Sequence, residues 1–145
     1  MEMNHKLIVS KRIVIARPRE IVWRVLTEPA YVKQYLYGAD LLTDWVVGSP
    51  VRFRGEFEGQ VWQDKGTVLA CERPRHLRYS YYSGSCGLDD SPANYATVSF
   101  YLDEEVDGTL LAVEQQGYAS EDSRATSERG WDAILSQIKT LAESD

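Results

Sequence analysis

Alternating apolar and polar residues open the chain and predict a β-strand over residues 6–15. The apolar positions fall on one side of the alternation, which is the period of a strand with one buried face. These positions are Leu7, Val9, Ile13 and Ile15. Lys11 interrupts this apolar face.

Two short helices are predicted to follow this strand. Pro18 suits the first turn of a helix, and Glu20 favours the positive end of the helix dipole. An apolar stripe at helical spacing comes next, at Ile21, Val22, Val25 and Leu26. The segment Thr27-Glu28-Pro29 ends this helix and begins a second one, which carries Tyr31, Tyr35 and Leu36.

From Val51 onward the apolar period changes to two, which predicts antiparallel strands with one solvent-exposed face. In the first of these strands the inward positions are Val51, Phe53, Gly55 and Phe57. Further strands are predicted at about residues 61–72, 76–82, 95–102 and 109–116, between turn-forming segments. Their mostly short connections favour a meander of neighbouring strands.

A long amphipathic helix is predicted at the end of the chain, over roughly residues 126–143. At 1.5 Å per residue it spans about 25 Å, enough to cover a strand of seven or eight residues. Its apolar face consists of Trp131, Ile134, Leu135, Ile138 and Leu141. The sequence therefore predicts an α+β fold, in which one antiparallel sheet of six or seven strands buries its apolar face on this helix.

Length and charge narrow the classes of partner. The 145 residues fit a single domain, residues 1–145, that builds a core without disulfides or metal. The chain has 16 Lys and Arg against 22 Asp and Glu, and this net charge of −6 disfavours binding to nucleic acid or to a membrane surface. Cys71 and Cys86 are not spaced from each other or from a histidine as metal ligands are, so we expect both to be free thiols. No basic segment followed by a long apolar run opens the sequence, so we expect a cytoplasmic protein.

Several short motifs, taken in order, resemble a known family. They are Ala16 to Trp23, Leu26-Thr27-Glu28-Pro29, Val47-Gly48, Gly66-Thr67-Val68 with Pro74 and Leu77, and Gly130-Trp131. Together they resemble the C-terminal domain of activators of heat-shock protein 90 ATPase, within the START-like (SRPBCC) superfamily. The resemblance covers about residues 10–143. It implies the helix-grip fold of the birch-pollen-allergen type, with a curved sheet around the C-terminal helix and two short helices after the first strand.

A ligand cavity between the sheet and the last helix is the leading hypothesis for a site. Aromatic residues at inward positions can line such a cavity, because their rings offer a large apolar surface and their polar groups can orient a ligand. Aromatic rings also fill ordinary protein cores. The candidate lining residues are Trp131, Gln115, Phe53, Phe57, Tyr79, Tyr81, Phe100 and Tyr35. Gln115 lies on an apolar face, so its amide needs hydrogen-bond partners. Either the contents of a cavity or, in a filled core, the hydroxyl of a neighbouring tyrosine supplies them. Gly130 is expected to let the backbone beside Trp131 approach the sheet closely.

The sequence offers little for catalysis. His5 lies near the N-terminus, and His76 at a strand start is expected to point to water; neither stands in a catalytic or metal-binding motif. No catalytic residue, metal or cofactor is therefore predicted. Three functions stay open: binding of an apolar or aromatic small molecule, an interaction module that regulates a chaperone ATPase, and an enzyme of the polyketide cyclase type. The expected partners are an apolar small molecule, a chaperone or another protein, with the chain a monomer or homodimer.

Overall fold

A computed structural model describes residues 2–84 and 86–144 of the chain. Its seven strands are β1 (Asn4–Ile15), β2 (Asp40–Leu42), β3 (Pro50–Phe57), β4 (Gln60–Glu72), β5 (His76–Ser83), β6 (Ala96–Glu105) and β7 (Gly108–Tyr118). Its helices are α1 (Arg19–Thr27), α2 (Pro29–Tyr35) and α3 (Glu121–Ser144), with a 3₁₀ turn at Pro92–Asn94.

The strands form one antiparallel sheet in the order β1-β7-β6-β5-β4-β3-β2. Strands β2 to β7 follow one another as a meander, and β1 joins the sheet beside β7. Helices α1 and α2 occupy the connection between β1 and β2. The predicted α+β helix-grip architecture, with two short helices after the first strand and a long C-terminal helix, is confirmed.

Helix α3 begins at Glu121, about one turn earlier than the apolar stripe predicts. Ser120 caps this turn, because its Oγ accepts a hydrogen bond of 3.2 Å from the backbone N–H of Ser123. Glu121 and Asp122 then place acidic groups at the positive end of the helix. The first turn is polar, so hydrophobic periodicity alone misses it.

Helix α3 lies over one side of the sheet rather than over its centre. Its most extensive contacts are with β1, and it also packs against α1, α2 and β7. Leu135 and Ile138 enter the core there, and Asp132 forms an ion pair with Lys11 at 3.4 Å. Lys11 thus interrupts the apolar face of β1 because it reaches across to α3. The inner face of β3 to β5 lies farther from this helix.

Strand β4 makes an unusually close approach to β5 at Gly66. A Cβ atom on Gly66 would overlap the backbone carbonyl oxygen of Ser80. Beside it, the backbone N–H of Thr67 donates to the hydroxyl of Ser80 at 2.9 Å. Two residues later the pairing of β4 with β5 shifts register, between Val68 and Ala70. The sheet therefore departs from regular pairing beside Tyr79 and Tyr81, which flank Ser80.

The hairpin between β3 and β4 turns within two residues, Glu58 and Gly59. Their φ angles are 52° and 78°, and Phe57 pairs with Gln60 across the turn. Two consecutive positive φ angles match the tight turn that suits the twist of antiparallel strands. This turn projects Phe57 and Glu58 beyond the core.

Candidate functional site

A cavity of about 960 Å³ lies between α3 and the part of the sheet that α3 does not cover. Its sheet side is formed mainly by Phe53, Trp62, Asp64, Tyr79, Tyr81, Val98 and Gln115. Its helix side is formed by Ser127, Gly130, Trp131 and Ile134, which share one face of α3. The segment after α2 and the β3–β4 turn border the opening.

Aromatic rings form much of the sheet side. The Phe53 ring lies 5.7 Å from the Tyr79 ring and 6.1 Å from the Tyr81 ring, between ring centres. Trp62 extends this surface because its indole lies over Gly55, where a Cβ would collide with the ring. The cavity thus offers flat apolar surface with hydroxyl groups at its edges, a combination typical of small-molecule sites.

Trp131 joins the helix side of the cavity to the sheet. Its side chain is buried, with 7% of the residue exposed, and its ring meets Phe100 edge-on at 5.8 Å. Its indole Nε1–H donates to Gln115 Oε1 at 2.9 Å. The amide of Gln115 therefore has an indole partner, not the tyrosine hydroxyl of the filled-core alternative, and Gln115 also lines the cavity.

A buried carboxyl group, Asp64, lies on the sheet side of the cavity with 9% of the residue exposed. It accepts hydrogen bonds from the Tyr81 hydroxyl, the Ser83 hydroxyl and the Gly84 backbone N–H. Burial nevertheless raises the pKa of Asp64, because removal of water disfavours its charged form more than these hydrogen bonds favour it. Burial, followed by the charge of Asp64, also raises the pKa of Tyr81.

Six of the eight candidate residues line the cavity: Trp131, Gln115, Phe53, Phe57, Tyr79 and Tyr81. Phe57 lies at the mouth and is 69% exposed, because the strand passes the edge of the core before the tight turn. Phe57 therefore lies on the predicted face of the strand, but outside the buried core. Phe100 and Tyr35 do not line the cavity. Phe100 is buried beneath Trp131, and Tyr35 is buried with its hydroxyl donating to the Leu26 carbonyl at 2.8 Å.

Two other expectations need correction. A Cβ on Gly130 would meet no atom within 4 Å, so this glycine does not serve a close approach of the backbone to the sheet. His76 lies on the outer face of β5 as expected, but its ring stacks on Tyr101 at 4.6 Å instead of pointing to water. Burial, with the nearby Arg78, lowers the pKa of His76.

Asp64 is not among the residues predicted from the sequence, although the alternation along β4 places it on the inner face. Trp62, Asp64 and Val68 are two or four residues apart, so they share the inner face of the strand. A carboxyl group at such a position is unusual enough to mark a site.

Within residues 2–84 and 86–144, no three His, Cys, Asp or Glu side chains are grouped closely enough to hold a metal ion. In the same part of the chain, no helix combines the length and the apolar character needed to cross a bilayer. Cys71 and Cys86 are both free thiols.

Asp64 is expected to add to the stability of the fold as the pH falls. Because its pKa is raised, the folded protein binds the proton more readily than the unfolded chain does. This contribution is complete below the ordinary aspartate pKa of about 4, and it disappears as the pH rises through the raised value. Denaturant unfolding of wild type and Asp64→Asn at several pH values measures it. The stability of wild type relative to the variant should increase toward acid, and a decrease would contradict the burial argument.

Comparisons with known proteins agree with this fold. Residues 16–143 match the family described as Activator of Hsp90 ATPase homolog 1-like protein. The solution structure of ChR145 from Cytophaga hutchinsonii is 33% identical to this chain, covers 99% of it and 97% of its own length, and superposes with a TM-score of 0.83. A comparison with curated protein sequences found no significant match.

Two further solved structures are similar. CalU16 from Micromonospora echinospora is 26% identical over 93% of this chain and 74% of its own, with a TM-score of 0.65. The Aha1 dimer from Colwellia psychrerythraea is 19% identical over 94% of this chain and 96% of its own, with a TM-score of 0.74. At that identity the Colwellia protein shows a shared fold alone.

Proposed function

This chain belongs to the Activator of Hsp90 ATPase homolog 1-like family, and we propose that it binds an apolar or aromatic small molecule between its sheet and α3. One observation carries the proposal: a cavity of about 960 Å³ remains where α3 leaves the aromatic side of the sheet uncovered. Ligand pockets in proteins have volumes of roughly 300–1,000 Å³, with mostly apolar walls and a few polar groups.

The polar groups of the cavity are placed to orient a ligand. Gln115 is fixed by Trp131, and Asp64 is fixed by Tyr81, so two hydrogen-bonding sites stand at set positions on an apolar surface. Groups that are already held by protein partners lose little conformational entropy when a ligand binds. This arrangement favours selective binding of one class of molecule over nonspecific binding of apolar molecules.

Binding is better supported than catalysis of the cyclase type. Within the described residues, the cavity lining contains no histidine, lysine or arginine. Burial raises the pKa of Tyr79 and Tyr81, so both hydroxyls stay protonated at neutral pH and are poor bases. Asp64 is the buried lining group with a raised pKa, as a general base requires, but its carboxyl group already accepts hydrogen bonds from Tyr81, Ser83 and Gly84.

A fluorescent probe tests the proposal directly. N-phenyl-1-naphthylamine is neutral, and it brightens when it leaves water for an apolar site. We expect the purified protein to bind it with a dissociation constant of about 10 μM or lower, a typical value for a partly matched apolar ligand. Native mass spectrometry of freshly purified protein should also show a retained small molecule.

Gly130 provides a matched pair of variants for this experiment. It lies on the cavity face of α3, and its missing Cβ faces open space. Gly130→Trp should occupy the opening and weaken probe binding by about fivefold or more, because it displaces the apolar volume that the probe uses. Gly130→Ala should leave probe affinity unchanged and raise the free energy of unfolding by about 0.5–1 kcal/mol, since alanine favours a helix over glycine.

The outcomes separate the competing functions. If wild type binds no probe and retains no molecule, the small-ligand proposal is wrong, and the protein-interaction function becomes the better explanation of the family relationship. If Gly130→Trp and Gly130→Ala bind the probe equally well, the probe binds elsewhere and the assigned cavity is wrong.

A further inference from the structure

The charged side chains that line the cavity are all acidic. Across the described part of the chain, Asp64, Glu56 and Glu58 contribute to the lining, and no basic side chain does. Glu56 and Glu58 are exposed near the mouth, whereas Asp64 is buried on the inner face of β4. The interior of the cavity therefore carries an acidic group without a basic side chain opposite it.

The known partners of Asp64 are neutral. Tyr81, Ser83 and the Gly84 backbone all donate hydrogen bonds to its carboxyl group, and none of them supplies a positive charge. The adjacent Lys65 alternates to the other face of β4, where it pairs with Asp90. Buried charges in proteins are normally paired or bound to a metal, because transfer of an isolated charge from water is costly. A cationic group beside Asp64 would offset the burial that raises the pKa of this carboxyl group, and it would favour the carboxylate.

The aromatic rings around Asp64 favour the same kind of ligand. Tyr81 donates its hydroxyl to the carboxyl group, and Phe53 lies between Tyr81 and Tyr79 at ring distances of 6.1 and 5.7 Å. The faces of aromatic rings attract cations through their electron density, most strongly where water is excluded. An anionic ligand would be repelled both by the acidic lining of the cavity and by the net charge of −6 of the chain.

We propose that the cavity selects molecules that carry a protonated amine on an apolar or aromatic body, with Asp64 as the counter-ion of the amine. The proposal rests on the small-molecule function argued above and names the chemical class of its ligand. The apolar body occupies the space between Phe53 and Trp131, and the amine reaches the Asp64 carboxylate. Glu56 and Glu58 at the mouth attract the cation before it enters.

Three probes of similar size and different charge test this selection. They are 1-naphthylmethylamine, which is cationic at neutral pH, neutral 1-naphthylmethanol, and anionic 1-naphthoate. Each is titrated by calorimetry or by displacement of N-phenyl-1-naphthylamine. We expect the amine to bind about tenfold more tightly than the alcohol and the carboxylate to bind most weakly, since a buried ion pair is worth at least about one such factor.

Asp64→Asn keeps the size and an acceptor oxygen but removes the charge. It should bring the affinity for the amine to within about twofold of the affinity for the alcohol. Glu56→Gln is the matched control at the exposed mouth, and it should keep most of the preference for the amine. Circular dichroism and the unfolding midpoint establish that both variants fold.

The results distinguish the two proposals. If the neutral probe binds but wild type shows no preference for the amine, the ligand class is wrong and the small-molecule function stands. A preference that persists in Asp64→Asn would also overturn the role of Asp64. If no probe binds, both proposals fail together. Should Asp64→Asn not fold, the wild-type order of amine and carboxylate still decides, because equal affinity for the two excludes an acidic site.

Discussion

Replacement of Gly66 by alanine is expected to unfold the protein or to lower its free energy of unfolding by more than about 4 kcal/mol. The new Cβ would overlap the Ser80 carbonyl oxygen, which belongs to the backbone of β5 and has no rotamer to escape. Relief of the overlap requires β4 and β5 to separate, which disturbs the hydrogen bond from Thr67 to Ser80 and the neighbouring strand pairs. Such a loss is comparable with the whole stability of many small domains, about 5–15 kcal/mol.

Denaturant unfolding followed by circular dichroism measures this effect, with Gly130→Ala as the control. Both variants add the same methyl group to a glycine, but the methyl at Gly130 meets open space in a helix. The two substitutions should therefore change stability in opposite directions. If Gly66→Ala were within about 1 kcal/mol of wild type, the close approach of β4 to β5 would not exist in solution.

Periodicity predicts most of this fold because the two faces of each element meet very different surroundings. In β1, Val9 and Ile15 are buried while Val14 is exposed, so the alternation in the sequence reflects a physical boundary. Strand β2 contains only Asp40–Leu42 and forms by pairing with β3, so its own sequence is too short to show a period. The start of α3 depends on the cap at Ser120, a local polar interaction that an apolar pattern does not report.

The aromatic side of the cavity follows from the sequence, whereas its polar partners do not. Alternation places Phe53, Tyr79 and Tyr81 on the inner face, where the structure has them. The pairs Trp131–Gln115 and Asp64–Tyr81 join residues 16 and 17 positions apart, and they depend on strand register and on where α3 lies. Phe57 lies on the predicted face but is exposed, because alternation continues to the end of a strand while burial stops where the core stops.

The volume of the cavity depends on the position of α3, and the sequence does not determine that position. A helix with its apolar face on the sheet is compatible with a filled core and with an open cavity. Helix α3 packs mainly on β1, where Leu135 and Ile138 are buried, while Ile134 and Trp131 line the space on its other side. The placement of this helix, rather than its amphipathic pattern, thus leaves part of the sheet uncovered.

Trp131→Ala is expected to lower the free energy of unfolding by about 2–3 kcal/mol, less than the roughly 3–5 kcal/mol typical of a large aromatic ring removed from a packed core. The ring loses its edge contact with Phe100 and its hydrogen bond to Gln115, but the space it leaves joins the open cavity and so adds no closed void. Binding of N-phenyl-1-naphthylamine should weaken by about tenfold, because the ligand loses an aromatic surface worth roughly 1 kcal/mol or more.

Trp131→Phe separates the two roles of this side chain. Phenylalanine keeps an aromatic ring beside Phe100 but cannot donate to Gln115, whose amide then turns to the water or ligand in the cavity. We expect a loss of about 1 kcal/mol, the usual value of one hydrogen bond, with probe affinity largely retained. Unfolding and probe titrations on the three proteins test both roles. A loss near 5 kcal/mol in Trp131→Ala, in a parent protein that binds no probe, would mean that Trp131 belongs to a closed core. The interaction of this family member would then lie on its outer surface.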